Sequence, residues 1–518
     1  MSWQEEVDEI ATRKDFALQM GGEEGIKRQH ARGKLTVRER LDRFVDSKSF
    51  SEFMGLSGSA SYEGNKLEHF TPKGSVEGYC KLDGRKVVVS AGDFTVRGGS
   101  GGTGGGLGQE LSSNRRAQEW RIPYVRLLDA SGGSVRSFED IGRTYLPDGN
   151  VWSAVDTQIL SEIPVVSAVM GSVAGLPAIN ACMAHFNLMV KDTSQLFPGG
   201  PPVVKAALGY DITKEELGGD EIHTRLSGVI DNLAVDEEDA FAQIKRFLSY
   251  LPSNVWETSP RGDTGDDPGR ADEFLLSAIP RDRRQTYKVH QIIDAIVDEQ
   301  SFFEIAPRYG RSRVVGLARL NGYPVGLMAN NPRQKGGTTD VAAGTKVMRL
   351  LQLCDTFHLP VVSLADEPGF MVGLDSEKQG IERSGAALVA MTCSSQMPWA
   401  TVVMGKLYGV AGQCHHRPSG MFQRFAWPSA NWGSMHIAGG AAAAYRREIE
   451  TADDSEAKLQ EIEERLQALA SPFRTAEATG QDIIDPRQTR ALLCEFAEDA
   501  QRVISGQLGK TSARYLPF

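Results

Sequence analysis

The sequence predicts an α/β protein in which one fold occurs twice. Three observations predict it. Apolar runs of strand length alternate with helix-length stretches. Four segments recur in the same order, 234 to 252 residues apart. Each half also carries an apolar strand that ends in glycines where a helix begins.

The elements follow in chain order. The first ~45 residues are charged, with Ala, Leu and Ile at helical spacing, and read as helix. Lys86–Ser90, Tyr124–Leu128 and Pro164–Met170 read as buried strands by composition. The repeats tie these to the second half. Pro123-Tyr-Val-Arg-Leu-Leu-Asp129 matches Pro360-Val-Val-Ser-Leu-Ala-Asp366, and Asp83-Gly-Arg-Lys-Val87 matches Asn321-Gly-Tyr-Pro-Val325. Ile163–Gly171 matches Met397–Gly405, and Ser49-Phe-Ser-Glu52 matches Ser301-Phe-Phe-Glu304. Generic α/β periodicity explains one or two such matches; four in order point to duplication of a fold of roughly 235 residues. Thr258–Arg270, rich in Pro, Gly and Asp, reads as a linker. That sets domains at 1–257 and 271–518, with 258–270 between them. Ser455–Leu469 reads as an amphipathic helix with Leu459, Ile462 and Leu466 on one stripe, expected to pack on the second domain.

Composition excludes several classes. A net charge of −10 disfavours general binding to nucleic acid or anionic membranes. No apolar run reaches the ~18 residues of a membrane span. The acidic start lacks the features of a signal or transit peptide, so a cytoplasmic location is expected. The six cysteines are scattered and form no CxxC, against zinc ribbons and disulfide frameworks. Glycine is in excess, at 55 of 518 residues.

Those glycines direct the search for chemistry. Gly98–Gly108 contains a formal GxGxxG starting at Gly99, with Asp129 further on, but a run so rich in glycine satisfies almost any glycine pattern. A CoA-phosphate or active-site loop and a flexible turn both stay open for it; no GK[ST] follows, so a Walker A loop is excluded. The junctions Met170–Ala178 and Met404–Gly412 are more informative. N–H groups at a helix start are unpaired and attract negative charge. Glycine admits close approach to them. That is how an oxyanion hole is built, although a tight turn packed with glycine would look the same. Asp129 and Asp366 end equivalent strands, where a base or, more commonly, a helix cap is expected. His415 and His416 are adjacent and so point to different sides, which suits joint metal ligation poorly.

Many of these segments carry a family resemblance. Gly33-Lys-Leu-Thr-Val-Arg-Glu-Arg40, Asp93-Phe-Thr-Val96, Ser131-Gly-Gly133, Val190–Ser194, Glu215–Gly219, Ser249–Asn254, Asp366-Glu-Pro-Gly-Phe370, Trp427-Pro428 and Asp482–Arg490 resemble the carboxyltransferase (beta) subunits of biotin-dependent acyl-CoA carboxylases, the propionyl-CoA and methylcrotonyl-CoA carboxylase type. The resemblance implies two crotonase-like (ClpP/crotonase) domains and a homo-hexamer, a trimer of dimers, with each active site between subunits. It implies acyl-CoA on the N-terminal domain and carboxybiotin on the C-terminal one. No biotinylation motif or ATP-grasp is recognisable, so the biotin carboxylase and biotin carboxyl carrier (alpha) subunit is expected to be a separate polypeptide. No metal is implied.

The implied chemistry needs two oxyanion holes. Carboxybiotin releases CO2, and the biotin anion takes the α-proton (or vinylogous γ-proton) of the acyl-CoA. The resulting enolate then attacks CO2. By motif matching, the N-H groups of Gly175 and Leu176 form one hole and those of Val410 and Ala411 the other. Gly132, Gly133, Gly99, Gly101, Gln413 and Tyr408 are expected to bind substrate, and Gly409, Gly369 and Phe370 the biotin. The sequence departs from the family where Leu176 and Val410 replace a second glycine, at Gln413, along Cys414–Arg424, and over the glycine run Gly101–Gly108. These departures suggest an unusual acyl group. A decarboxylase or transcarboxylase using the same chemistry, and a non-catalytic hexamer scaffold, are the competing readings.

Overall fold

The computed structural model of the chain describes residues 2–99, 111–133, 135, 138–139, 142–144, 146, 148–263, 265–282, 285–417, 419–511 and 515–516. They form two compact units, Met1–Glu257 with Lys510–Pro517, and Thr258–Gly509.

The first unit opens with helices Gln4–Leu18, Gly22–His30 and Val37–Phe44. The last is started by a capping box in which Thr36 and Glu39 satisfy each other's backbone N–H. The strands are β1 (Ser51–Phe53), β2 (Gly58–Glu63), β3 (Lys66–Pro72), β4 (Ser75–Leu82), β5 (Arg85–Gly92), β6 (Tyr124–Leu128), β7 (Val165–Val169), β8 (Ser172–Ala174), β9 (Phe186–Val190), β10 (Gln195–Phe197) and β11 (Asn232–Ala234). Seven make one sheet in the order β1-β4-β5-β6-β7-β9-β11. β1, β4 and β5 run antiparallel, and the strands from β5 onward run parallel. β7 and β9 are buried along their whole length, as parallel strands covered on both faces must be.

The second unit repeats this plan with β12 (Phe303–Ile305), β13 (Arg313–Leu320), β14 (Tyr323–Asn330), β15 (Val361–Glu367), β16 (Trp399–Tyr408), β17 (Phe422–Ala426), β18 (Asn431–Gly433) and β19 (Asp482–Ile483). Its sheet order is β12-β13-β14-β15-β16-β17-β19. The equivalent hairpins β4–β5 and β13–β14 turn on a left-handed pair, Asp83-Gly84 (φ 50° and 81°) and Asn321-Gly322 (φ 50° and 79°), which suits the strand twist. The small parallel pair β8–β10 of the first unit recurs as the end of β16 paired with β18. The duplication read from the sequence is therefore a duplication of topology.

The break falls after Glu257, but the linker and the tail differ from the sequence reading. Thr258–Arg270 belongs to the second unit instead of linking two domains. Gly262 donates to the Gly322 carbonyl at 2.9 Å. Asp266 pairs with Arg270 at 3.0 Å and with the buried Arg490 at 3.2 Å. Charge pairs hold this stretch, so no apolar period announces it. The tail Lys510–Pro517 belongs to the first unit. There Tyr515 packs edge-on against His185 with ring centroids 4.5 Å apart. The helix Ser455–Leu469 has the expected bounds and buries Ile462 completely.

Candidate active site

In the first unit the junction follows β8. Gly175 has φ 67° and ψ −136°, a conformation open to glycine, and the helix Leu176–Cys182 starts after it. Gly132 (φ 80°) presses on the same backbone: a Cβ there would lie 2.6 Å from the Ala174 carbonyl oxygen. The structure narrows the set of donors. The Gly175 N–H is already bonded to the carbonyls of Phe197 (3.3 Å) and Pro198 (3.1 Å), so it is not free to hold an oxyanion. Pro177 has no N–H, and Ala178 donates to the Gly175 carbonyl at 3.0 Å. Leu176 keeps an N–H that bonds to no described residue.

Gly133 is exposed beside Gly132. Gly99 is buried with φ 66°, and a Cβ there would strike the Asp129 carbonyl at 2.3 Å. Gly101 and the rest of the run to Gly108 lie outside the described residues.

The second unit builds its junction at the end of β16. Gly409 (φ 60°) begins the helix Gly409–Gln413, and a Cβ on it would stand 3.2 Å from the Ser434 carbonyl oxygen. Val410 and Ala411 occupy the first turn, where N–H groups have no intrahelical acceptor. Neither N–H bonds to another described residue. The Val410 side chain is 56 % exposed and that of Leu176 36 %. Gln413 is exposed at the end of the same helix. Tyr408 is buried, and its hydroxyl donates to Asn431 Oδ1 at 2.8 Å. Its ring therefore braces β18 and is not an open substrate contact. Gly369 (φ 135°) donates to Glu367 Oε1 at 2.9 Å, and its carbonyl accepts the Thr339 N–H at 3.1 Å. Phe370 lies over the helix Ile381–Ser394, where a Cβ on Gly385 would come within 3.0 Å of its ring.

Beneath each junction lies a buried polar cluster. In the first unit Asp129 accepts from Lys34 Nζ (2.7 and 2.9 Å), Arg40 Nη1 (3.0 Å) and Gln29 Nε2 (3.1 Å). Arg40 also bonds Glu237 through Nε (2.8 Å) and Nη2 (2.9 Å), and donates to the Met170 carbonyl. Burial opposes the Arg40 charge, but the bonds to Glu237 and the attraction of Asp129 raise its pKa on balance. Asp129 makes Gly171 obligatory, since a Cβ there would lie 2.1 Å from its Oδ1. In the second unit Asp366 accepts from the Tyr287 hydroxyl (2.9 Å) and the Lys406 N–H (2.7 Å), and confines Gly405 in the same way. Neither aspartate caps a helix or stands open as a base. Each is a fixed acceptor under its junction.

The second unit holds a further buried cluster. Arg313 Nη2 contacts Glu367 Oε2 (2.5 Å) and His415 Nε2 (2.9 Å), and Thr339 Oγ1 donates to the same carboxylate oxygen (2.6 Å). Burial would raise the Glu367 pKa, but Arg313 and its other donors hold it at about 2. His415 is fully buried, two residues past the junction helix, and its Nδ1 meets Ser363 Oγ at 2.7 Å. The neighbouring His416 turns instead towards Phe422, with ring centroids 5.4 Å apart.

Lys34, Arg40, Glu237, Arg313 and Glu367 do not stand out in the sequence as site residues. Lys34 and Arg40 lie in a segment that carries the family resemblance, but their partners are 89 to 197 residues away.

The chain is similar to known proteins over nearly its whole length. A carboxyl transferase domain model matches residues 28–503. The propionyl-CoA carboxylase carboxyltransferase subunit of Haloferax mediterranei is 35 % identical over 503 residues, 95 % of each chain. The methylmalonyl-CoA decarboxylase subunit alpha of Veillonella parvula is 35 % identical over 479 residues, 91 % of each chain. The transcarboxylase 12S crystal structure, a hexamer with methylmalonyl-CoA and methylmalonic acid bound, superposes with a TM-score of 0.87 and 29 % identity, over 100 % of this chain and 97 % of that one. The chain thus belongs to the carboxyl transferase family, as a carboxyltransferase of the biotin-dependent acyl-CoA carboxylase and transcarboxylase class with a crotonase-like fold in each half.

Proposed function

We propose that the chain moves a carboxyl group between carboxybiotin and an acyl-CoA, with the thioester on the first unit and biotin on the second. The observation that carries this reading is the pair of topologically equivalent junctions, with one helix-start N–H at the first (Leu176) and two at the second (Val410, Ala411) that bond to no described residue. Carboxybiotin, when bound, supplies the carboxyl group and a ureido oxygen that becomes negative as the group leaves. The second unit fits such a group: Val410 and Ala411 offer two consecutive donors, and Gly409 keeps the approach to them open. On the first unit, Leu176 supplies one donor to the thioester oxygen, and the Gly132–Gly133 segment against it supplies the second. Two holes at fixed places stabilise charge without a side-chain acid or base. Likeness to the 12S hexamer supports assembly as a hexamer; the biotin carboxylase and carrier then belong to separate subunits in this reading.

Identity to the Veillonella decarboxylase subunit favours a second reading, the same transfer run in reverse. The two share every residue role given above, and measuring both directions with one carrier protein separates them.

The test removes a single N–H. Leu176→Pro deletes the donor and suits a first helical position; the chain itself starts the helix Pro201–Leu208 with two prolines. Leu176→Ala keeps the donor. Biotin-dependent exchange of the acyl-CoA α-proton, measured over a panel of acyl chains, should fall roughly 10²- to 10³-fold in Leu176→Pro and persist in Leu176→Ala. Equal exchange in the proline variant would sink the donor assignment. A wild-type protein without exchange would indicate a scaffold. Plain propionyl-CoA as the best substrate would remove the case for an unusual acyl group.

A further inference from the structure

The buried cluster of Arg313, Glu367 and His415 stands between the two segments of the second unit proposed to take biotin. On one side is the turn into Gly369–Phe370. Glu367 Oε1 accepts the Gly369 N–H at 2.9 Å. Glu367 Oε2 accepts from Thr339 Oγ1 (2.6 Å), Asn330 Nδ2 (3.1 Å) and Arg313 Nη2 (2.5 Å). Thr339 is stitched to the same turn: its N–H donates to the Gly369 carbonyl at 3.1 Å, and its carbonyl accepts the Met371 N–H at 2.9 Å. On the other side is the helix Gly409–Gln413, whose first turn presents the Val410 and Ala411 N–H groups. His415 holds the end of that helix. Its carbonyl accepts from Thr401 Oγ1 in β16, and its Nδ1 donates to Ser363 Oγ in β15 at 2.7 Å. Arg313 Nη2 donates to His415 Nε2 at 2.9 Å. One guanidinium group thus joins the Gly369–Phe370 turn to the end of the donor helix.

The first unit supplies an internal comparison. Strand registers and the two junction glycines align Arg313 with Ser75, Glu367 with Ala130 and His415 with Ala181. The same topology is therefore built there with small uncharged residues at these three places. A buried ion pair is costly to desolvate and adds little stability over well-packed apolar residues. What it adds is direction, because hydrogen bonds hold their partners at fixed distances and angles. Direction matters where donors must meet a developing charge: a misplacement of ~1 Å can cost roughly 10²-fold in rate. Burial keeps His415 neutral at neutral pH, so its Nε2 remains an acceptor for Arg313. Burial opposes the Glu367 charge, but Arg313 and the other donors keep it ionised.

We infer that Arg313, Glu367 and His415 are positioning residues for the biotin half of the reaction, setting the Val410 and Ala411 donors against the Gly369–Phe370 turn. This rests on the reading that places biotin on the second unit. The three side chains act through the backbone they hold, and the first unit, with Ser75, Ala130 and Ala181 in their places, does not depend on them.

The experiment is carboxyl transfer by the full chain to free biocytin from malonyl-, methylmalonyl- and ethylmalonyl-CoA, followed with the donor that wild type uses best. Calorimetric titration with CoA reports on the first unit, and thermal melting on the fold. His415→Leu removes the acceptor but keeps the Arg313–Glu367 pair. His415→Gln restores an acceptor near the place of Nε2. Arg313→Met/Glu367→Gln removes both charges together, so that neither is left buried alone. His415→Leu and the double variant should lose roughly 10- to 100-fold in kcat/KM for biocytin. His415→Gln should recover most of that loss, and every variant should bind CoA as wild type does. Folded variants with the wild-type kcat/KM for biocytin overturn this inference alone. So does an equal loss in His415→Leu and His415→Gln, a matching loss of CoA binding, or the absence of a cooperative melt in both uncoupling variants, since each marks a role in the fold. A wild type that binds no CoA, or that carboxylates no biocytin from any donor, overturns the proposed function on which the inference rests.

Discussion

Acid should weaken both units, the first through buried His185 and the second through buried His415. Burial lowers the pKa of His185 in the first unit and of His415 in the second from 6.5 to about 4. The hydrogen bonds agree. Val165 donates its N–H to His185 Nδ1 at 3.0 Å, while His185 Nε2 faces the Leu160 carbonyl at 2.8 Å. Arg313 faces His415 Nε2 at 2.9 Å, so that nitrogen accepts and Nδ1 donates to Ser363. A second proton on either ring would meet an N–H donor. Arg126 near His185, and Arg313 and His416 near His415, oppose the added charge, while Glu367 favours it at His415.

The sign follows from proton linkage. The unfolded imidazole binds protons below about 6.5 and the folded one only near about 4, so stability is full above pH 6.5 and falls as pH drops towards 4. At pH 5 the loss is about 2 kcal/mol per histidine. For a unit of this size that lowers Tm by roughly 4–8 °C. Glu39 and Glu367, held at about 2, lose their contributions only below their ordinary value of 4.5. His223 and His416 shift in the same direction as the buried pair, and His290 in the opposite one. The assay is scanning calorimetry at pH 7.5 and pH 5 on wild type, His185→Gln, His415→Gln and the double variant. Each single variant should be less stable at pH 7.5 yet less sensitive to acid. A double variant with the wild-type pH dependence refutes the reasoning.

Two further outcomes follow from the cluster beneath the first junction. Arg40→Met leaves Glu237 and Asp129 buried with fewer donors and should cost about 3–5 kcal/mol, read as a lower first transition in thermal unfolding. Gly171→Ala places a methyl group 2.1 Å from Asp129 Oδ1. It should cost about 3 kcal/mol by overpacking and reduce carboxyl transfer by shifting the backbone that leads to Leu176, with activity and calorimetry read together.

Much of this protein could be read before any coordinates. The alternation of elements and the offset of 234 to 252 residues between matched segments established a fold present twice. The glycines at 175 and 409 marked both junctions, because a left-handed φ at the start of a helix is a local demand that glycine meets. The stretch 258–270 misled, because paired charges packed it onto the second unit where composition suggested a free linker.

The sequence by itself determined the fold, its duplication and the position of the two junctions, all of which are written in short-range patterns. Only the tertiary structure decided which N–H groups are free. Gly175 carries the glycine signature but spends its N–H on Phe197 and Pro198, while Leu176, which departs from the family pattern, keeps one. Hydrogen bonds and ion pairs between segments 20 to 200 residues apart leave no period in the chain, so they appear only once the strands are laid side by side.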